Sequence, residues 1–198
     1  FGVDVYRTEF LSQIVTDLDR HPRTVAFYML DGRSYANSVL TDVQVELNHV
    51  IDLKLSHRWY DVRTTYDGVL RERPFTPQHR GMVSLAFSDM KEHWRADLTW
   101  SLFGQGRIPS TTANPEAYRL PERSPTYSTV HAQLTRIIGS WEVYLGVENL
   151  TSTIQRQQII APEDPFGPYF DASMIWGPTN KAMFYGGLRF ALNKKQKM

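Results

Sequence analysis

Six histidines are the first side chains to weigh as catalysts or metal ligands. His57 falls on an apolar face near Trp59, His131 falls on a polar face, and His21, His49, His79 and His93 sit at turns or strand starts. No two of them have the HxH or HxxxH spacing that converges imidazoles on one ion, and no carboxylate completes a zinc pattern. No GxSxG elbow poses a serine beside a histidine. With no cysteine there is also no thiolate metal site, no redox pair and no disulfide. The expectation is a protein that is not an enzyme and carries no cofactor.

Other polar groups suit binding rather than catalysis. Glu163 and Asp164 lie between Pro162 and Pro165 and could take calcium through loop carboxylates, though their spacing matches a solvated turn better. Arg71, Arg73 and Arg80 flank the segment Pro74–Gln78 as a small basic cluster, able to hold lipopolysaccharide phosphate or an anionic ligand. An ordinary charged loop flank fits the same three residues. Gly104-Gln105-Gly106 is half of a dinucleotide fingerprint without its third glycine or helix, and reads as a loop. Asn149-Leu150-Thr151 matches a glycosylation acceptor that nothing else in the chain supports.

The elements that must position these groups are strands. From Ile51 the odd positions run Ile51, Leu53, Leu55, His57, Trp59 against Asp52, Lys54, Ser56, Arg58, Tyr60. Trp94, Ala96, Leu98, Trp100 and Leu102 oppose His93, Arg95, Asp97, Thr99 and Ser101. Trp141, Val143, Leu145 and Val147 oppose Glu142, Tyr144, Gly146 and Glu148. A period of two gives each strand one greasy and one wet surface. Weaker alternation adds 38–47, 82–88, 130–138 and 184–192, and the least regular segment, Val5 to Asp17, is taken as the first strand. About eight long strands result.

Connections sort by length. Those at Asn48–Val50, Asp89–Glu92 and Ile138–Ser140 are short, whereas Leu18–Tyr35, Asp67–His79, Gly104–Thr126 and Thr151–Lys181 are long and rich in Pro, Gly and polar residues. Outer-membrane barrels alternate tight periplasmic turns with long extracellular loops in this way, and a soluble sandwich has no reason to. Aromatic residues such as Trp59, Tyr60, Trp94, Trp100, Phe103, Tyr127, Trp141, Phe184 and Tyr185 fall near the expected strand ends, as interfacial girdles do. The longest uninterrupted apolar run, Val25–Leu30, is far too short for a spanning helix. The N-terminus shows no basic region followed by an apolar stretch. With 22 basic against 21 acidic residues, the net charge of +1 argues against a nucleic-acid partner. The many charges on the wet face favour a wide lumen over a narrow packed one, and about eight strands cannot enclose a wide lumen alone.

Several segments also carry a family resemblance. Trp141–Thr151, Ile159–Ser173, Trp176-Gly177-Pro178 and Phe184–Phe190 together resemble the C-terminal end of a TonB-dependent outer-membrane receptor. Arg7–Phe10, Gly32–Ser38 and Gly104–Pro109 are similar to earlier parts of such receptors. The resemblance implies residues 1–192 as roughly the last eight strands of an antiparallel up-and-down transmembrane β-barrel of about 22 strands, with 193–198 as a basic tail. It implies a Gram-negative outer membrane, a periplasmic C-terminus, a plug domain and TonB as partners outside this chain, and import of a scarce nutrient. Iron chelates, cobalamin, other metal complexes and glycans are all open as cargo. The family usually finishes on an aromatic; here Phe190 is followed by Ala191, Leu192 and the basic tail.

Within that reading Arg107, Tyr118, Arg156 and Tyr169 are the expected ligand contacts, because polar-aromatic loop tips face the medium. The alternative is a complete eight-stranded outer-membrane protein with a structural or adhesive role. A soluble β-sandwich ranks below both, since its apolar faces would need a second packed sheet.

Overall fold

The structure, a computed structural model, describes residues 1–21 and 24–192. Eleven strands account for its regular structure: β1 Gly2–Glu9, β2 Ile14–His21, β3 Thr24–Met29, β4 Ser34–Asn48, β5 Ile51–Tyr66, β6 Val69–Glu72, β7 His79–Ser88, β8 Trp94–Phe103, β9 Tyr127–Ile138, β10 Trp141–Glu148 and β11 Met183–Phe190. A single 3-10 turn, Glu116–Tyr118, interrupts one loop. The wall is one antiparallel sheet in the order β1-β4-β5-β7-β8-β9-β10-β11, with β6 paired to the end of β5 and β2–β3 forming a separate hairpin. This is the antiparallel up-and-down topology that the resemblance implies, and the sheet is open.

Chain punctuation explains the sorting of connections. Gly139 turns β9 into β10 at φ 60°, while His49 and Val50 alone join β4 to β5. All the short turns lie at one end of the sheet and all the long loops at the other. Asp67 and Gly68, with φ of 46° and 76°, form the two-residue turn of the β5–β6 hairpin, as an Asp-Gly pair does in a type I′ turn.

Three expectations change, one of them within 67–79, where Val69–Glu72 forms β6 instead of loop. The first wall strand is Gly2–Glu9, not Val5–Asp17, because Phe10-Leu11-Ser12-Gln13 breaks the segment. The stretch 18–35 is not a bare loop either: with Ile14–Asp17 it builds the β2–β3 hairpin and the start of β4. The expected basic tail, 193–198, lies outside the described residues.

Register converts alternation into a surface. Val45, Leu53, Leu85, Leu98, Ala132, Val147 and Phe184 are paired in succession across seven strands, so they form one continuous apolar row. A parallel row runs Val43, Leu55, Val83, Trp100, Val130. Among the described residues no second layer packs on this face: Leu145 is 68%, Leu188 67% and Phe184 79% exposed. Of the buried hydrophobic side chains among the described residues, only Tyr66 and Val147 belong to wall strands. β8, with 10 residues, rises about 33 Å along its axis. At the ~40° tilt of barrel strands that spans about 25 Å, the height of a barrel's apolar band.

The opposite face is polar and cross-linked. Glu142 accepts from Arg95 at 2.6 Å and from Arg189 at 2.9 Å, and the Tyr185 hydroxyl donates to Gln133 at 3.1 Å. Tyr185 also covers Gly146, its partner in register, and Tyr144 covers Gly187. A β-carbon at either glycine would collide with the ring, so the two tyrosines lie flat against bare backbone. The aromatics therefore divide by face. Trp59, Trp94, Trp100 and Trp141 stand on the apolar side, whereas the alternation and register place Tyr60, Phe103, Tyr127 and Tyr185 on the polar side.

Candidate functional site

The hydrophobic packing missing from the wall is found among the long loops. Ile108, Ile160, Ala161 and Met174 are buried against one another, with Phe75, Tyr118, Leu120, Tyr169 and Trp176 packed around them. These residues come from the β6–β7, β8–β9 and β10–β11 connections, so three loops share one core at the same end of the sheet.

Polar side chains set the path of each loop. Gln155 is 1% exposed and fully satisfied: its amide nitrogen donates to the carbonyls of Gln157 and Met174 at 2.7 Å each, and its oxygen accepts from Trp176 N at 2.9 Å and Gly177 N at 3.1 Å. Asn149, at φ 50°, ends β10. Its side chain donates to the carbonyls of Thr153 and Asn180 at 2.8 and 2.9 Å and accepts from Thr153 N at 3.1 Å. Asparagine tolerates that left-handed backbone, and its amide fastens the departing and returning arms of the loop.

The β2–β3 hairpin joins this assembly by charge. Asp19 accepts from Arg107 Nη1 at 2.9 and 3.0 Å and from Ser110 N at 2.7 Å. Arg107 Nε donates to the Glu72 carbonyl at 2.7 Å, and the guanidinium lies 5.4 Å from the Tyr66 ring. The Glu72 carboxylate in turn takes Arg123 at 2.7 Å and Gln78 at 3.0 Å. Within the hairpin the buried Asp17 accepts from the Tyr28 hydroxyl at 2.8 Å. Burial, and then that hydrogen bond, push the Tyr28 phenol up to about 12. Arg20 lies over the Tyr28 ring at 4.7 Å and pairs with Asp67, which the hydrogen bond from Arg20 holds below its ordinary range.

The four expected ligand contacts are placed as follows. Tyr118 and Tyr169 both pack on the buried cluster, with ring centroids 5.8 Å apart, and the Tyr118 hydroxyl donates to Glu163 at 2.5 Å. That bond raises the Tyr118 phenol and lowers the Glu163 carboxyl. Glu163 is thus tied to a tyrosine rather than aimed at a cation. Arg107 adjoins the cluster through Ile108 and lines a cleft of about 410 Å³ with Arg71, Ser110, Leu120 and Arg123. Arg156 is exposed. The arginine cluster expected at 71, 73 and 80 is divided: Arg71 borders that cleft, while Arg80 enters β7 opposite Arg58. Among the described residues no group of three or more His, Asp or Glu side chains is placed to hold a metal ion.

Sequence reasoning missed Asn149 and Gln155 as organisers. The Asn at the end of an alternating strand was the available signal for the first. Nothing local marks the second, whose four partners include three carbonyl or amide groups some twenty residues away.

No family model matches the chain, and no curated protein matches it. Among solved structures it is similar to the copper transporter OprC, with a TM-score of 0.62 and 11% sequence identity. The match covers 94% of this chain and 27% of that one. The likeness is one of fold. This chain spans about a quarter of that chain's length.

Proposed function

We propose that this chain is part of the wall and outer loops of a TonB-dependent outer-membrane receptor that imports a scarce nutrient. The observation that carries the reading is the apolar face: rows of Leu, Val, Phe and Trp cross the sheet in register and have no protein layer behind them. Hydrocarbon is the solvent that such a face suits, and the short turns then mark the periplasmic end. The polar face turns toward a plug, and the loop cluster meets the medium, where it captures ligand. Energy reaches the receptor through TonB and the plug, both outside this chain.

The fold of the copper transporter supports the wall and leaves the cargo open among iron chelates, cobalamin, other metal complexes and glycans. A complete eight-stranded barrel is less well supported, because β1 and β11 each have one wall neighbour and do not pair with each other. The test is to express the full-length protein in a Gram-negative host, fractionate membranes and follow heat-modifiable mobility. Outer-membrane fractionation with a folded, heat-modifiable band is expected; a protein that stays in solution without detergent overturns the reading.

A further inference from the structure

On the wall's polar face Arg95 and Arg189 share the carboxylate of Glu142. Arg58 and Arg80 do not. They are direct cross-strand partners on β5 and β7, on the polar side, and among the described residues neither has a carboxylate within 4.0 Å. Like charges placed directly opposite repel, so the pair opposes its own strand register unless an anion lies between them. The carboxylates Asp4 and Asp42 stand on the same face of β1 and β4, but Asp42 is in register with Ser56 and Asp4 with Leu40. Arg58 Nη1 donates to the Tyr60 hydroxyl at 2.8 Å, and its Nε is buried with no partner.

Aromatic rings surround the two cations. Arg80 lies 5.9 Å from the Tyr60 ring and 5.6 Å from that of Phe103. Phe103 stacks on Tyr127 at 4.8 Å and 11°, and Tyr127 reaches the loop cluster through Trp176, at 5.7 Å between rings and 3.2 Å from its hydroxyl to the carbonyl. A cleft of about 290 Å³ opens here, lined by Ser56, Met82 and Ser101 besides the arginines and rings. That is the lower end of ligand-pocket size, room for one ring and one charged group.

We infer that Arg58 and Arg80 form an anion seat beneath the loop cluster, taking the oxyanion of an aryl phosphate or aryl carboxylate whose ring packs against Phe103 and Tyr60. Two guanidiniums offer forked donors to such an oxyanion, and the rings add area without charge. The inference rests on the wall reading, since it needs the polar face to line a solvent-filled passage.

The probe is phenyl phosphate, titrated calorimetrically into the full-length protein folded in detergent, with inorganic phosphate and benzyl alcohol as partial probes. Saturable binding of phenyl phosphate is expected, weakened at least tenfold by Arg80→Gln and by Arg58→Gln and less by Arg80→Lys. Phe103→Leu should weaken phenyl phosphate and leave inorganic phosphate unchanged. Wild-type protein that binds no phenyl phosphate overturns the inference, including the case where a carboxylate from elsewhere in the receptor already fills the seat. So does binding that neither glutamine variant alters, or benzyl alcohol binding as tightly as phenyl phosphate. Heat-modifiable mobility of the same samples reports the wall reading separately, so a folded barrel that ignores the probe sinks the seat alone.

Discussion

Gln155 shows how single residues hold the loop assembly. It is buried, donates twice and accepts twice, and every partner is backbone. Gln155→Leu keeps the volume and strands those partners, at about 1–3 kcal/mol for each buried group left unpaired. The expected outcome is proteolytic nicking within 149–182 while the wall keeps its heat-modifiable mobility; an unchanged digestion pattern would refute it. The Tyr118–Glu163 bond adds a pH dependence. The folded Glu163 carboxyl sits below its ordinary 4.5, so its contribution is present above that value and fades as pH falls through the lower folded one. Tyr118→Phe removes the donor, so acid should loosen the wild-type loop contact and leave this variant no further to fall. Limited proteolysis at graded acidity checks it. Arg107 was legible as a loop residue worth testing; its engagement by Asp19, 88 positions away, was not. Alanine there removes a tie between hairpin and loop as well as any ligand contact. Asp19→Ala separates the two effects: if it impairs nutrient uptake as much as Arg107→Ala does, Arg107 acts through architecture.

Strands were legible and the hairpin was not, for one physical reason. Wall strands carry one apolar and one polar face, and that division appears in the sequence as a period of two, clearest in β5, β8 and β10. The β2–β3 hairpin meets other loops and the end of β5, and its residues answer to those contacts instead: Val15 and Asp17 are both buried while Ile14 and Phe27 are exposed. The same distinction makes a test on β8. Leu98 and Thr99 are adjacent but belong to opposite faces, Leu98 in the apolar row and Thr99 hydrogen-bonded to Ser84 on the polar one. Leu98→Arg should cost about 2–4 kcal/mol of stability in lipid vesicles if that face meets the bilayer's middle, and Thr99→Arg, on the polar face, markedly less. Equal effects in refolding titrations would contradict the assignment of faces. The hairpin carries its own titration. Tyr28 is raised from 10.0 to about 12 in the fold, so its contribution is complete below 10 and is lost as pH rises toward 12. In a phenolate absorbance titration, one late-titrating tyrosine should vanish in Tyr28→Phe.

At the scale of the molecule, the decisive feature is an open sheet with two long free edges. β1 pairs only with β4 and β11 only with β10, so each leaves a row of backbone donors and acceptors without wall partners among the described residues. In hydrocarbon such groups cost several kcal/mol each, and a barrel avoids them only by closing. Closure has two geometries: β1 meets β11 directly, or further strands stand between them. No cysteine lies within these 198 residues, so a pair introduced here meets no native thiol of this segment. Val3, Val5 and Arg7 on β1 can each be combined as cysteines with Phe184, Leu188 or Phe190 on the same face of β11, so that a matching register would be sampled. A disulfide needs β-carbons about 3.5–4.5 Å apart, which direct pairing supplies and intervening strands forbid. In the full-length protein inserted in outer membranes, none of these combinations should oxidise. A control pair on true neighbours, Ala132→Cys with Val147→Cys, should oxidise readily because the two are in register on β9 and β10. A disulfide from β1 to β11 in any combination would mean that these eight strands close on themselves. The lumen would then be narrow, the polar face would be a packed interior, and Arg58 and Arg80 would have to find their counterions within it.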